Sequence, residues 1–143
     1  MKKIKYTWQE FDKDVILLIR RIKYSKFQPE TLVCLATGGC PLGTKLHNRL
    51  EKPLTIISVK SYEDTKQGAI LLNSSYTVPL RSPVLLLDDV ADSGKTIQLV
   101  KSHLELGGVE VRTATLFYKE HSVIKPDWYI HKISEEWLIF PWE

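Results

Sequence analysis

Residues 84–96 read VLLLDDVADSGKT: four apolar residues run directly into two adjacent carboxylates and then into a small, glycine-centred turn. The apolar run predicts a strand over Val84–Leu87 that is buried on both faces, and such a strand needs helices on either side of its sheet. A helix over Thr96–Leu106, closed by Gly107-Gly108, is expected to follow the turn. Asp88 and Asp89 repel each other at close range, so a cationic or hydroxylated partner is expected opposite them.

The same alternation runs through the rest of the chain. Thr7 is placed to cap a helix, with Glu10 three residues on completing a capping box, and Phe11, Val15, Leu18, Ile19 and Ile22 recur at helical spacing as far as Phe27-Gln28-Pro29. Thr31–Ala36 reads as a strand, Thr37-Gly38-Gly39 as a turn, and Leu42–Leu50 as a helix opened by Pro41. Residues 53–62 are rich in β-branched residues, 63–68 form a polar loop, and AILLNSSYTVPL fits a hairpin or a loop with one ordered arm. Val109–Tyr118 and Trp128–Ile133 supply two more strands. Strands that alternate with helices predict an α/β fold with a mostly parallel, helix-covered sheet, in which ligands bind at the carboxyl ends of the strands.

Composition narrows the partners. The 143 residues suit a single domain over 1–143, able to bury roughly 70% of its unfolded surface without staples. Hydrophobic residues at 43% and charged residues at 26% are ordinary for a globular chain. A formal charge of +3 favours an anionic small molecule and falls far short of the Lys/Arg stripe that nucleic-acid binding requires. Cys34 and Cys40 have no spacing for zinc or a disulfide framework, and both are expected as reduced thiols. MKKIKYTWQEF lacks a signal-peptide hydrophobic region and no apolar run approaches ~18 residues, so a cytoplasmic protein without a membrane span is expected.

The turn Ala91-Asp92-Ser93-Gly94-Lys95-Thr96 leads from a buried strand into a helix, so backbone N–H groups and a helix N-terminus converge there. Such a nest holds a phosphate. Ser93 and Thr96 add hydroxyl donors, and Gly94 allows close approach of the backbone. The two upstream carboxylates would repel that phosphate, so they are expected to face another part of the ligand, such as vicinal sugar hydroxyls, through Mg²⁺. A P-loop is ruled out: its first glycine would fall at Asp89, and Gly38–Lys45 ends Gly-Thr-Lys in place of Gly-Lys-Thr. The plain alternative is that Asp92 caps the helix while Asp88 and Asp89 are solvated turn residues.

VLLLDDVADSGKT closely resembles the phosphoribosyl-pyrophosphate signature of the type I phosphoribosyltransferases, an apolar strand, two acids and a loop ending in Gly-x-Thr. Thr7-Trp8, Thr37-Gly38-Gly39, Ser61-Tyr62, Phe117-Tyr118-Lys119 and Trp137…Pro141-Trp142-Glu143 fall in the order and spacing of the bacterial xanthine-guanine branch of that family. The resemblance covers nearly the whole chain. It implies a twisted, mostly parallel sheet flanked by helices with a small C-terminal hood, and a purine-salvage enzyme that transfers phosphoribosyl to N9 of hypoxanthine, guanine or xanthine.

Carried over residue by residue, the resemblance implies that Asp88 and Asp89 hold the ribose hydroxyls and Mg²⁺. Ala91, Asp92, Ser93, Gly94, Lys95 and Thr96 would wrap the 5′-phosphate, and Asp92 would manage the proton at purine N7. Thr37, Gly38 and Gly39 correspond to the pyrophosphate loop, where Thr37 stands in place of the family's usual Arg or Lys; Lys45 or Lys66 would compensate. Lys119 would donate to O6, Trp137 would stack on the base, and backbone carbonyls near Leu138 and Ile139 would read C2. Glu143 aligns with a position near a second Mg²⁺. The segment from Ser61 and Tyr62 to about Asn73 resembles a mobile lid, although it lacks the family's basic residue near Gly68. A homodimer or homotetramer is implied.

Competing structural roles remain for three of these residues. Trp137 with Phe140 and Trp142 could seal a core, the preferred role for Trp142, and Lys119 could be a solvated strand-end lysine. Two functional alternatives also stand: a non-catalytic regulator that senses phosphoribosyl pyrophosphate, and a transferase for another base.

Overall fold

The computed structural model describes residues 1–61, 70–73 and 80–143. Tyr62, Lys66, Gly68 and the 63–68 loop lie outside the described residues, as do residues 74–79 of the expected hairpin.

After a short strand β1 (Lys3–Lys5), helix α1 (Trp8–Tyr24) starts on the expected capping box: the Thr7 hydroxyl accepts the Glu10 N–H at 3.1 Å and the Glu10 carboxylate accepts the Thr7 N–H at 3.0 Å. Its apolar stripe, Phe11, Val15, Leu18, Ile19 and Ile22, is buried. Strand β2 (Thr31–Ala36) and helix α2 (Cys40–Leu50, with Pro41 in its first turn) follow, then β3 (Leu54–Ser61) and β4 (Ile70–Asn73). Next come β5 (Val84–Ala91), α3 (Lys95–Leu106), β6 (Val111–Lys119), β7 (Trp128–Ile133) and β8 (Trp137–Ile139).

The main sheet has the order β4-β3-β2-β5-β6-β7, with β3, β2, β5, β6 and β7 parallel and β4 antiparallel to β3. Both faces are covered. Leu85 and Leu87 join the core beneath α1 and α2, while Val84 and Leu86 join the one beneath α3, the strict alternation of a strand buried on both sides. The fold class is therefore the expected one. The hood is a separate two-stranded sheet in which β8 pairs in parallel with β1. None of the described helices is long and apolar enough to cross a membrane.

Strand β5 extends four residues beyond the expected Leu87 and stays paired with β6 through Asp88↔Thr115, Val90↔Phe117 and Ala91↔Tyr118. The carboxylates therefore sit on a strand, not in a turn. Asp88 keeps its partner on β6, while the Asp89 and Val90 N–H groups turn to the carboxylates of Asp88 and Asp89, so polar side chains do not end the strand.

Candidate active site

Strands β2 and β5 are neighbours from which the chain leaves in opposite directions, through α2 to β3 and through α3 to β6. At such a switch point the loops after the two strands diverge and leave a crevice at their carboxyl ends. Thr37-Gly38-Gly39 borders it on one side and Asp88-Asp89 on the other. The two sides are close: a Cβ on Gly38 would strike the Asp89 carboxylate, and one on Gly39 would lie 2.9 Å from the Leu87 carbonyl oxygen. At Gly39 a side chain would meet backbone on two sides, and at Gly38 the Asp89 carboxylate would have to move.

Asp88 and Asp89 are half-buried. The Asp88 carboxylate accepts the Asp89 N–H at 2.9 Å, and Asp89 accepts the Val90 N–H at 2.7 Å and, more weakly, the Trp142 indole N–H at 3.4 Å. Burial first, and the charge of Asp89 second, push the Asp88 carboxyl well above the ordinary carboxylate range. Burial also raises Asp89, against hydrogen bonds from Asp88 and Trp142 that act the other way. Among the described residues no cationic side chain forms an ion pair with either acid. Lys45 lies on the exposed side of α2.

The turn that follows has the form expected of an anion nest. Gly94 adopts φ +78°, a left-handed conformation suited to glycine, and α3 begins without any side-chain cap. The first intrahelical bond runs from the Gln98 N–H to the Gly94 carbonyl, and the Lys95 N–H meets the Ser93 hydroxyl at a long 3.3 Å. The opening N–H groups of α3 therefore face outward at the positive end of the helix. Asp92 does not cap the helix, which removes the plain capping role.

Asp92 turns instead toward β6. The Lys119 ammonium donates to its Oδ2 at 3.1 Å and His121 Nε2 lies 2.9 Å from its Oδ1. Burial would raise the Asp92 carboxyl, but the bonds from His121 and Lys119 outweigh it and hold the group below the ordinary range. The Lys119 side chain is only 8% exposed, so it is not a solvated strand-end lysine. A buried ammonium requires a partner, and Asp92 is that partner.

Asp89, Asp92, Lys119, Trp137, Leu138 and Glu143 line one cleft of about 150 Å³, with Val90 and Phe140. The β1–β8 pairing carries Trp137 there: Leu138 turns into the core, leaving Trp137 outward and 54% exposed. Trp137 does not seal the core. Trp142 does, stacked on Phe140 at 4.8 Å and edge-on to Tyr6 and Phe11, while its indole N–H still reaches Asp89. The Ile139 carbonyl is engaged by the Tyr6 N–H at 2.9 Å. Larger cavities exist, one of about 510 Å³ lined by Ile22, Phe27, Pro29 and Leu50, but that one lies at the opposite end of the sheet from the acids.

Of the expected residues, Asp89, Asp92, Lys119, Trp137, Leu138 and Glu143 share one cleft, and Gly38 and Gly39 border the acid pair. Ala91 is buried as the last residue of β5 and not part of the turn, Ser61 ends β3, and Tyr62 lies outside the described residues. Sequence reasoning missed His121 and the link from Trp142 to Asp89. Neither leaves a local pattern: His121 follows a strand end by two residues, and Trp142 meets Asp89 across 53 positions. Glu143 shares the cleft, yet among the described residues no three His, Cys, Asp or Glu side chains group closely enough to hold a metal alone.

Residues 6–143 match the family described as the phosphoribosyl transferase domain. A xanthine-guanine phosphoribosyltransferase of Nitratidesulfovibrio vulgaris is 28% identical across 96% of this chain and 82% of its own length. Among solved structures, a purine phosphoribosyltransferase of Pyrococcus horikoshii superposes with a TM-score of 0.88 at 30% identity, covering 100% of this chain and 95% of that one. A Helicobacter pylori xanthine-guanine-hypoxanthine phosphoribosyltransferase does so with a TM-score of 0.88 at 27% identity, covering 97% and 92%.

Proposed function

This chain belongs to the phosphoribosyl transferase domain family and is a type I member near the xanthine-guanine branch, and from that premise we propose that it transfers phosphoribosyl from phosphoribosyl pyrophosphate to N9 of a 6-oxopurine in purine salvage. One observation carries the base assignment: a donor, Lys119, and an acceptor, Asp92, stand 3.1 Å apart beside an exposed tryptophan. O6 and N7 are adjacent on the purine edge, so one base can meet both groups at once. Lys119 donates to O6, which an adenine amino group cannot accept, and Asp92 receives the proton at N7. Trp137 supports the ring by stacking, a contact worth about 1–3 kcal/mol per base.

The 5′-phosphate sits on the outward N–H groups of Ser93–Thr96, and the pyrophosphate on the backbone of Thr37, Gly38 and Gly39. Asp88 and Asp89 face the ribose. Their raised carboxyls, without an ion-pair partner among the described residues, suit a hard dication such as Mg²⁺, which takes one or two carboxylates and completes its shell with substrate oxygens and water. Bound there, Mg²⁺ neutralises charge that develops on the departing pyrophosphate. The acids also favour the positive charge that builds on the sugar as its bond to pyrophosphate breaks, while Trp137 and Lys119 keep N9 in line. Ser61 and Tyr62 would begin the lid, and Glu143 would approach a second ion.

In this reading the chain works as one domain in the cytoplasm, as a homodimer or homotetramer. The test is pyrophosphate release with hypoxanthine, guanine, xanthine, adenine and uracil in the presence of Mg²⁺. Turnover with 6-oxopurines alone is expected. Turnover with adenine or uracil would overturn the base assignment, and binding of phosphoribosyl pyrophosphate without release for any base would make the chain a sensor.

A further inference from the structure

The connection between β6 and β7 lies along the phosphate turn. The Val123 N–H donates to the Ser93 carbonyl at 2.8 Å, and Ser122 Oγ occupies the space that a Cβ on Gly94 would fill. Ser122 fixes its own turn by donating to the Ile124 carbonyl at 2.7 Å and accepting the Ile124 N–H at 3.3 Å. These backbone and Ser122 contacts hold the two segments together at Ser93 and Gly94. His121 reaches the same turn only through a side chain: its bond ends on Asp92, at Oδ1. Both side chains are about half exposed, so neither is fixed by packing.

We propose that His121 is a positioning residue for Asp92, fixing the carboxylate through Oδ1 so that Oδ2 is presented to the base when Lys119 leaves it for O6. This rests on the transferase reading above. Among the described residues each Asp92 oxygen has one side-chain partner, Lys119 on Oδ2 and His121 on Oδ1. Binding of a 6-oxopurine draws the ammonium to O6 and removes the first partner. A half-exposed carboxylate left with no partner would turn toward water; one still held at Oδ1 keeps Oδ2 aimed at N7. Because a carboxylate only accepts, His121 serves with a proton on Nε2 in either the neutral or the charged ring. The role belongs to a donor at that place, not to a titration.

The side-chain amide of glutamine can place an N–H where Nε2 stands, whereas alanine cannot. The experiment measures kcat and KM for phosphoribosyl pyrophosphate and guanine with the wild type, His121→Ala and His121→Gln, all at saturating Mg²⁺. His121→Ala is expected to lower kcat about ten-fold with KM for phosphoribosyl pyrophosphate within about two-fold, and His121→Gln to recover to within about three-fold of wild type, the scale of a hydrogen bond to a charged group. Wild-type kcat in His121→Ala would overturn the proposal. So would equal losses in both variants, or a loss confined to KM for phosphoribosyl pyrophosphate, since these mark packing of the phosphate turn. An inactive wild type with every base would instead defeat the transferase reading, and this role with it.

Discussion

Lys119 and Asp92 are separated by 27 positions yet meet at 3.1 Å, one from the end of β6 and the other from the turn after β5. The parallel pairing of these strands makes the meeting possible, because Ala91 lies opposite Tyr118 and both chains run off the same edge of the sheet. The pair satisfies a buried ammonium in the free protein and, in the proposed function, offers a donor and an acceptor to a purine.

Asp92→Asn removes the proposed acceptor for the N7 proton and leaves the side-chain shape intact. A fall in kcat of about 10²- to 10⁴-fold is expected, with little change in affinity for nucleoside monophosphate. Steady-state kinetics beside a nucleotide titration checks it; equal losses in both would make Asp92 a binding group only.

Lys119→Ala removes the proposed O6 donor. The kcat/KM for hypoxanthine is expected to fall by at least about ten-fold, the value of a hydrogen bond at a buried charged group. An unchanged kcat/KM would take Lys119 out of base selection.

Asp88→Asn is expected to stabilise the free protein while removing activity. Asp88 titrates above its unfolded value because burial and Asp89 disfavour its charge. A carboxyl raised on folding costs stability as pH rises through the range between its unfolded and folded values. Asparagine keeps the oxygen that accepts the Asp89 N–H and drops the charge. A gain of about 1 kcal/mol, or about 3 °C in Tm, is expected near pH 7, shrinking toward about pH 5. Thermal melts across that range without Mg²⁺ check it, and a destabilised variant would mean that the acid pair is compensated in the free protein.

The helices, β2, β7 and the glycine turn before α3 were legible because each rests on neighbours in sequence: the Thr7–Glu10 cap, the TLVCLA run, Gly94 itself. The strand character of Asp88 and Asp89 was hidden because their side chains are polar while the strand runs on past them to Ala91, paired with β6 at Asp88, Val90 and Ala91. Strands β1 and β8 escaped notice for another reason. Each is three residues long, and they find each other across the length of the chain, so no local periodicity marks them. The exposure of Trp137 follows from that pairing, and local sequence alone could not separate its role from that of Trp142.

Gly38→Ala tests how closely the pyrophosphate turn and the acids are packed. The added methyl meets the Asp89 carboxylate, which must move. A loss of at least about ten-fold in kcat/KM for phosphoribosyl pyrophosphate is expected with only about 1–3 kcal/mol lost in folding stability. Full activity would show that Asp89 is free to shift.

Omission of Mg²⁺ should abolish pyrophosphate release, and its return should restore it, since Asp88 and Asp89 supply no counter-charge of their own. Undiminished turnover in excess chelator would contradict the role given to the acid pair.

The most direct measurement is a crystal structure with a 6-oxopurine nucleoside monophosphate. The phosphate is expected on the N–H groups of Ser93–Thr96, the ribose hydroxyls toward Asp88 and Asp89, and the base against Trp137 with O6 on Lys119. A nucleotide bound elsewhere, with the Gly94 turn empty, would contradict the assignment of this site.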